Sequence, residues 1–207
     1  FLHIVALHHV GSNNPDGIEI KKNKDADGIP KDGIPFHPYF TIKDSVVVVG
    51  FLWIFCAVVF YAPALNGYFL EAPNFIEANP LKTPEHIAPL WYLTPYYSVL
   101  RAIPPLFGSQ FPGVLGMFAA LGVFFLLPWL DRSPVKSIRY RSPIYKWILG
   151  VFVLSFIVLG WLGVQPVTPL YVLMARIFTI LYFSFFILMP WFSTLGKTKE
   201  VPERVTG

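Results

Sequence analysis

The sequence predicts an all-α fold, a polytopic bundle of membrane-spanning helices. Of its 207 residues 55% are hydrophobic and only 14% are charged, which is far from the balance of a soluble domain. The apolar residues are concentrated in four long stretches that carry almost no charge, and each is long enough to cross the hydrocarbon core of a bilayer. The net charge of +4 therefore indicates orientation in a membrane rather than binding to nucleic acid.

The apolar stretches predict four complete spans, preceded by residues 1–10, which we interpret as the end of a helix that begins upstream. Two of the spans are charge-free runs of 18 residues, about 27 Å at 1.5 Å per residue. The spans are expected at 45–62, 113–130, 144–162 and 170–192. The connections are then an inner-side loop at 11–44, an outer-side loop at 63–112 with one or two short amphipathic helices along the surface, an inner basic loop at 131–143, an outer loop at 163–169 and an inner tail at 193–207.

The basic residues predict which loops face inward. Thirteen lysines and arginines fall in or beside three alternate connections, against two in the 63–112 loop, so the positive-inside rule places the thirteen on the cytoplasmic or equivalent face. Lys146 starts its span, where a long side chain can reach the interface. Arg176 is interpreted as an anchor at the outer end of its span. The single Cys56 lies in an apolar run and is expected to serve packing.

The outer loop carries an aromatic, proline-punctuated segment at 83–101. Its rings include Trp91, Tyr92, Tyr96 and Tyr97, and such side chains combine an apolar body with a polar tip. The segment is too polar to span a membrane. It predicts either a binding surface for a flat, half-apolar molecule or an ordinary aromatic belt at the interface.

Ionisable residues gather at the predicted inner face. His3, His8 and His9 end the first helix there, and Lys43 and Asp44 precede the next span. His3 and His8 lie about 140° apart around a helix, so they cannot share a metal ion as an i, i+4 pair would. The alternatives are functional groups at a membrane edge or, more simply, interfacial histidines and a helix N-cap at Asp44.

At these residues the chain resembles a known family. The resemblance rests on LHIVALHHVGSNNP at residues 2–15, IPFHPYFTIKD at 34–44, NPL at 79–81, and the segment from Pro89 to Arg101. It is a resemblance to the C-terminal half of cytochrome b, the haem- and quinone-binding subunit of the bacterial cytochrome bc complex. It covers essentially the whole chain in order. The related plastoquinol complex has a C-terminal piece with three spans and without the histidine, so four spans and His3 favour the bc type.

The resemblance implies roles for the inner-face residues. His3 matches an axial ligand of the high-potential member of two b haems, whose other ligands lie in the rest of the subunit. His8 and Asp44 match the residues that deliver protons to quinone during its reduction, with Ser12, Asn13 and Lys43 as neighbours in that site.

The resemblance also makes the aromatic segment a quinol-oxidation site. The family's Pro-Glu-Trp-Tyr signature is matched by Pro89, Leu90, Trp91 and Tyr92, and Tyr97 matches a tyrosine that lines the pocket. The signature glutamate is absent, because Leu90 stands in its place and cannot accept a proton. Two nearby ionisable residues, Glu85 and His86, are expected to substitute for it.

The function implied is that of a quinol:cytochrome c oxidoreductase subunit. Quinol would be oxidised at the outer face and quinone reduced at the inner face, which generates a proton gradient. Expected partners are the rest of cytochrome b, a Rieske iron–sulfur protein, cytochrome c1, membrane lipid and a second copy in a homodimeric complex, without nucleic acid. The expected location is the bacterial inner membrane. The alternative is a non-redox membrane anchor or transporter subunit.

Overall fold

A computed structural model of the chain describes residues 1–18, 20–67, 69–70, 72–82 and 87–202. Within these ranges it contains helices, turns and two isolated β-bridges, and no strands. The helices are α1 (Leu2–Val10), α2 (Tyr39–Tyr61), α3 (Thr94–Ala102), α4 (Phe111–Gly122), α5 (Leu127–Leu130), α6 (Pro143–Leu162) and α7 (Pro169–Phe192). The all-α prediction is confirmed.

Four helical segments of the described residues are long and apolar enough to cross a membrane: Tyr39–Tyr61, Phe111–Leu130, Pro143–Leu162 and Pro169–Phe192. Their number agrees with the four predicted spans. Helix α2 begins at Tyr39, six residues before the predicted start of the first span at Ser45. Hydropathy marks where a helix enters the apolar layer, whereas the helix itself continues to the proline that precedes it, Pro38.

Lys43 and Asp44 therefore lie inside α2 rather than in the loop before it. The residue at the helix N-cap is Pro38, which makes no side-chain capping bond. The interpretation of Asp44 as an N-cap is wrong.

The second span is a composite of α4, a 3₁₀ turn at Val123–Leu126, and α5. Pro128 explains the change in winding, since it has no N–H to donate to the carbonyl of Phe124. That carbonyl instead accepts from the N–H of Leu127, one residue earlier, which tightens the turn.

The chain divides into two compact units. The first comprises Phe1–Lys22 and His86–Gly207, and the second comprises Asn23–Glu85. The core of the first unit lies between α3, α4, α6 and α7 and is centred on Tyr182, Phe186 and Leu159. Tyr182 Oη donates to the carbonyl of Ala120 at 2.7 Å. In the second unit α2 has no buried residue, and its apolar side chains are mostly exposed.

The amphipathic helix predicted in the 63–112 loop is present as α3, but it does not simply lie along the surface. One face of α3 is buried against α4, α6 and α7. The approach to α6 is close because Gly160 and Gly163 have no side chain: Gly160 lies opposite Pro95, and Gly163 opposite Thr94. Small residues at a helix contact allow the two backbones to come together.

Candidate functional site

Helix α1 presents its histidines without using them in the fold. His3, His8 and His9 are all exposed, and no residue of α1 is buried. Within the described part of the chain their ring nitrogens take part in no hydrogen bond. The helix ends at Gly11, whose φ of 76° lies in the left-handed region that favours glycine. Both nitrogens of each ring thus remain available to ligands from outside this chain.

His3 fits the role of an axial haem ligand by its chemistry. A neutral imidazole on a helix, with a nitrogen free to bind iron, is the donor that b-type haems take. Among the described residues there is no group of three His, Cys, Asp or Glu that could hold a metal ion by itself. An iron bound to His3 would therefore need its further ligands from outside these residues.

The turn after α1 is held in place by a buried carboxylate that the sequence did not single out. Asp16 is 5% exposed. Its Oδ1 accepts from Tyr140 Oη at 2.6 Å and from Arg139 Nη1 at 3.2 Å, and Ser137 Oγ donates to the carbonyl of Pro15 at 2.6 Å. We call this set of contacts the Asp16 clamp.

The carboxyl group of Asp16 is ionised at neutral pH. The hydrogen bond from Tyr140, together with the bond and charge of Arg139, lowers the pKa of Asp16 below 3.8, although burial acts in the opposite direction. The same hydrogen bond raises the pKa of Tyr140, so its hydroxyl stays a donor. The clamp fixes the segment that directly follows Ser12 and Asn13.

The predicted quinone-reduction residues are divided between the two units. His8, Ser12 and Asn13 belong to the first unit, and both Ser12 and Asn13 are exposed. Lys43 and Asp44 belong to the second unit, where both are exposed on α2 and Lys43 Nζ lies 5.2 Å from the ring centroid of Tyr39. A pocket formed jointly by these residues stays a prediction.

The aromatic segment forms a tight turn that leads directly into α3. Trp91–Leu93 is one turn of 3₁₀ helix, and Thr94 Oγ1 closes it by donating to the carbonyl of Trp91 at 2.7 Å. The rings of Trp91 and Tyr92 meet edge to face with centroids 5.6 Å apart. Trp91 is 82% exposed and Tyr92 51% exposed. Two large rings are thus held together but covered by nothing in the described chain.

Two arginines fix α3, and with it the aromatic turn. Arg101 donates to the carbonyls of Gly163 and Gln165, at 3.3 and 3.0 Å. Arg176 Nε donates to the carbonyl of Ala102 at 3.0 Å, so this arginine completes the end of α3 in addition to any interfacial role. The guanidinium carbon of Arg101 also lies 5.5 Å from the ring centroid of Tyr97, which is half-buried. Sequence reasoning had assigned no partner to either arginine.

Leu90 is the position at which the resemblance implies a departure from the Pro-Glu-Trp-Tyr signature. Its side chain is 59% exposed and precedes the aromatic turn, whereas Pro89 is half-buried. An exposed leucine offers apolar surface and no proton acceptor. The expected substitutes, Glu85 and His86, lie outside the described residues.

The two candidate regions contact opposite ends of α6. Residues 15 and 16 are bound to the loop at 137–140, which leads into the start of α6, whereas α3 is bound to residues 159–165 at its end. A helix of 20 residues is about 30 Å long, close to the thickness of the hydrocarbon layer. The turn after α1 and the aromatic turn before α3 are thus separated by about the length of a membrane span.

Comparison with known proteins shows the family to which the chain belongs. A family model described as cytochrome b (C-terminal)/b6/petD matches residues 77–183, which is slightly more than half of the chain. The chain belongs to this cytochrome b family. Together with the four apolar helices, this membership makes the chain a multi-pass membrane protein.

Individual relatives match almost the whole chain. The cytochrome b of Allochromatium vinosum is 64% identical over 210 residues, covering 100% of this chain and 51% of that protein. The cytochrome b of Rhodospirillum rubrum is 44% identical, covering 100% and 47%. A chain in a solved structure titled "Hyperthermophilic respiratory Complex III" matches with a TM-score of 0.77 and 42% identity, covering 93% of this chain and 46% of its own. The chain therefore spans about half the length of the relatives that it matches.

Proposed function

We propose that this chain works as the C-terminal part of the cytochrome b subunit in a quinol:cytochrome c oxidoreductase of a bacterial inner membrane. The single observation that carries the proposal is that, in a chain of the cytochrome b family, the turn after the histidine-bearing helix α1 is bound near the start of α6 and the helix after the aromatic turn is bound at its end. The complex would contain the rest of cytochrome b, a Rieske iron–sulfur protein and cytochrome c1, as a homodimer.

His3 would ligate the iron of one of two b haems through a neutral imidazole. The bound haem supplies one-electron transfer between the two faces of the membrane. The contribution of this chain is the ligand and its position. His3 and His8 lie on the same short helix, α1, so the proposed iron ligand and the proposed proton donor are five residues apart.

Quinone reduction needs two protons for every two electrons, and His8 and Asp44 are suited to supply them. Imidazole and carboxylate groups are common proton donors in enzymes, and both of these side chains are exposed. Ser12, Asn13 and Lys43 would orient the quinone oxygens by hydrogen bonding. The Asp16 clamp supports this proposal because it immobilises the backbone next to Ser12 and Asn13.

Quinol oxidation would occur against Trp91, Tyr92 and Tyr97, whose rings can pack on the ring of the quinol. Quinol gives up two electrons and two protons. Because Leu90 cannot accept a proton, we propose that Glu85 or His86 accepts the one that a signature glutamate would take.

The first experiment is a reduced-minus-oxidised absorption spectrum of the purified complex that contains this chain. The wild-type complex should show b-type bands, and His3→Leu should remove the contribution of one of two haems. His9→Leu is the matched control, since it removes a histidine from the same exposed helix. A wild-type complex without b-type bands would exclude the redox function and leave a membrane anchor or transporter subunit. An unchanged spectrum in His3→Leu would reject His3 as the ligand.

A second experiment tests the proton acceptor at the quinol site. Replacing Glu85 and His86 together by apolar residues should slow quinol oxidation while leaving the haem spectrum unchanged. Turnover equal to that of the wild type would show that neither residue accepts the proton.

A further inference from the structure

Residues 193–199, which follow α7, are bound along the loop that joins α5 to α6, and the chemistry proposed above gives them no role. They start from the core, because α7 ends at Phe192, which is 4% exposed and packs against the ring of Tyr145 with centroids 5.6 Å apart. Ser193 Oγ then accepts from the backbone N–H of Arg132 at 3.1 Å. We call residues 193–199 the post-α7 segment.

The bend of the post-α7 segment requires a glycine at position 196. The φ of Gly196 is +81°, in the left-handed region that side chains disfavour. A Cβ at this position would also lie 2.9 Å from the Cβ of Ser142, the buried residue that caps α6 by accepting from the N–H of Tyr145. The segment and the loop are therefore in close contact, and a larger residue has to push them apart.

Tyr140 joins the post-α7 segment to the Asp16 clamp. Its backbone carbonyl accepts from the N–H of Lys199 at 2.8 Å, and its side-chain hydroxyl donates to Asp16 Oδ1 at 2.6 Å. The neighbouring carbonyl of Arg139 accepts from Lys146 Nζ at 3.3 Å, so α6 contributes a further bond to the same stretch. One residue thus connects a segment that starts in the core to the buried carboxylate of the turn after α1.

The turn after α1 depends on this connection, because α1 has no buried residue through which the core could position it. The turn itself is internally bonded. Asn14 Oδ1 accepts from the N–H of Ile18 at 3.0 Å, and Asn13 Oδ1 accepts from the N–H of Asn14 at 2.9 Å. A displacement of Asp16 is therefore passed to Asn13 and to Ser12 beside it.

We propose that the post-α7 segment is a positioning element for the quinone-reduction site. It holds Tyr140, Tyr140 holds Asp16, and Asp16 sets the position of Ser12 and Asn13, which would bind the quinone oxygens. This inference rests on the function proposed above for the inner-face residues. Tyr140 and Asp16 are positioning residues, because they act through Ser12 and Asn13 and not by touching the quinone.

The test uses substitutions that release the segment, each beside a matched control, in the purified complex that contains this chain. Lys199→Pro removes the N–H that binds the carbonyl of Tyr140, whereas Lys199→Ala keeps that N–H and removes only the side chain. Gly196→Ala adds the obstructing Cβ, whereas Gly150→Ala adds one that meets nothing within 4 Å. Asp16→Asn weakens the clamp itself.

Two measurements follow the effect of these substitutions. The first is the rate at which added quinone re-oxidises the reduced b haem, over a range of quinone concentrations. First-turnover reduction of cytochrome c by quinol is the readout of the other site. The second measurement is amide hydrogen exchange of the peptide at 11–18, which reports the opening of the turn independently of turnover.

Lys199→Pro and Gly196→Ala should each raise the quinone concentration for the half-maximal rate about tenfold, which is the effect of losing one hydrogen bond to the quinone. Amide exchange at 11–18 should become faster. The maximal rate, the haem spectrum and the first-turnover reduction of cytochrome c should stay at their wild-type values, and both controls should match the wild type throughout. Lys199→Pro combined with Asp16→Asn should give no larger a shift than the larger single one, because both changes act along one path.

An unchanged half-saturation in Lys199→Pro and Gly196→Ala, equal shifts in Lys199→Pro and Lys199→Ala, or shifts that multiply in the combined variant would overturn the proposal. So would a lower maximal rate at an unchanged half-saturation, which is the result of a merely structural loss. Gly196→Ala keeps the test decisive if Lys199→Pro fails to assemble. A wild-type complex whose b haem is not re-oxidised by quinone would reject the quinone-reduction site itself, and this inference with it, before any variant is compared.

Discussion

The contact between α3 and α6 offers the sharpest test of how the aromatic turn is held. A Cβ added at Gly163 would lie 2.8 Å from Thr94 Cβ and 2.9 Å from the carbonyl carbon of Thr94. Real Cβ atoms do not make such contacts, and the obstructing atoms are backbone or attached directly to it. The substitution Gly163→Ala therefore cannot be accommodated by rotating a side chain. It has to displace the start of α3.

The expected loss of unfolding free energy follows from overpacking, which costs about 1 to 3 kcal/mol when extra carbon atoms are forced into a close contact. Because no flexible group can move aside, we expect about 2 kcal/mol or more at this position. The backbone itself is not strained, since Gly163 has helical φ and ψ of −62° and −25°. The whole effect is therefore steric. Displacement of Thr94 also moves the turn that carries Trp91 and Tyr92.

Two glycines on the same helix provide matched controls. A Cβ at Gly150 would meet nothing within 4 Å, and a Cβ at Gly160 would make an ordinary contact of 3.5 Å with Pro95 Cγ. The assay is the apparent unfolding midpoint of the purified complex at a fixed scan rate, together with the rate of quinol oxidation. Gly163→Ala should lower both. Gly150→Ala and Gly160→Ala should lower neither appreciably. Equal stability of Gly163→Ala and Gly150→Ala would refute the close-contact argument.

Three further substitutions test other parts of the structure. Tyr182→Phe removes a buried hydrogen bond to a carbonyl of α4, and should cost about 1 kcal/mol in the unfolding of the complex; an unchanged midpoint would contradict this. Asp16→Asn should lower the unfolding midpoint of the complex by an amount that is constant from about pH 5 to 8. The fold lowers the pKa of Asp16 from 3.8, so the ionised carboxylate stabilises the protein above that pH, and the stabilisation is lost only as the pH falls through the pKa of the folded state. A decrease in midpoint that becomes smaller between pH 8 and pH 5 would contradict the lowered pKa of Asp16. Leu90→Glu should restore quinol oxidation to the variant that lacks both Glu85 and His86, measured as turnover of the complex, whereas no rescue would place the acceptor elsewhere.

Hydropathy alone predicted the number of spans, because each needs about 18 to 20 apolar residues and leaves a stretch that is visible in any window. It did not predict where α2 begins. The turns of α2 before Ser45 contain Lys43 and Asp44, so they look like loop in a hydropathy profile, yet they contain no residue that breaks a helix. The 3₁₀ turn at Val123–Leu126 follows from the missing N–H of Pro128, and could have been inferred from the sequence.

The contacts that fix the candidate sites could not be inferred in the same way. Asp16 lies next to Pro15 in a polar loop, and nothing local indicates that it meets Arg139 and Tyr140, more than 120 residues away. A carboxylate in a loop is normally solvated, and only the docking of two distant loops buries it. Arg101 and Arg176 likewise carried no sequence signal for the carbonyls that they bind.

The sequence by itself determined the fold class, the four spans and, through family resemblance, the candidate roles of His3 and of Trp91 and Tyr92. These depend on composition, on helical length and on short motifs, all of which are local properties of the chain. The tertiary structure alone decided that the turn after α1 is bound to the loop before α6, and the turn before α3 lies at the other end of that helix, which is about 30 Å long. It also placed the post-α7 segment along the loop between α5 and α6, because a contact between segments so far apart in the chain forms only when the helices that carry them pack together.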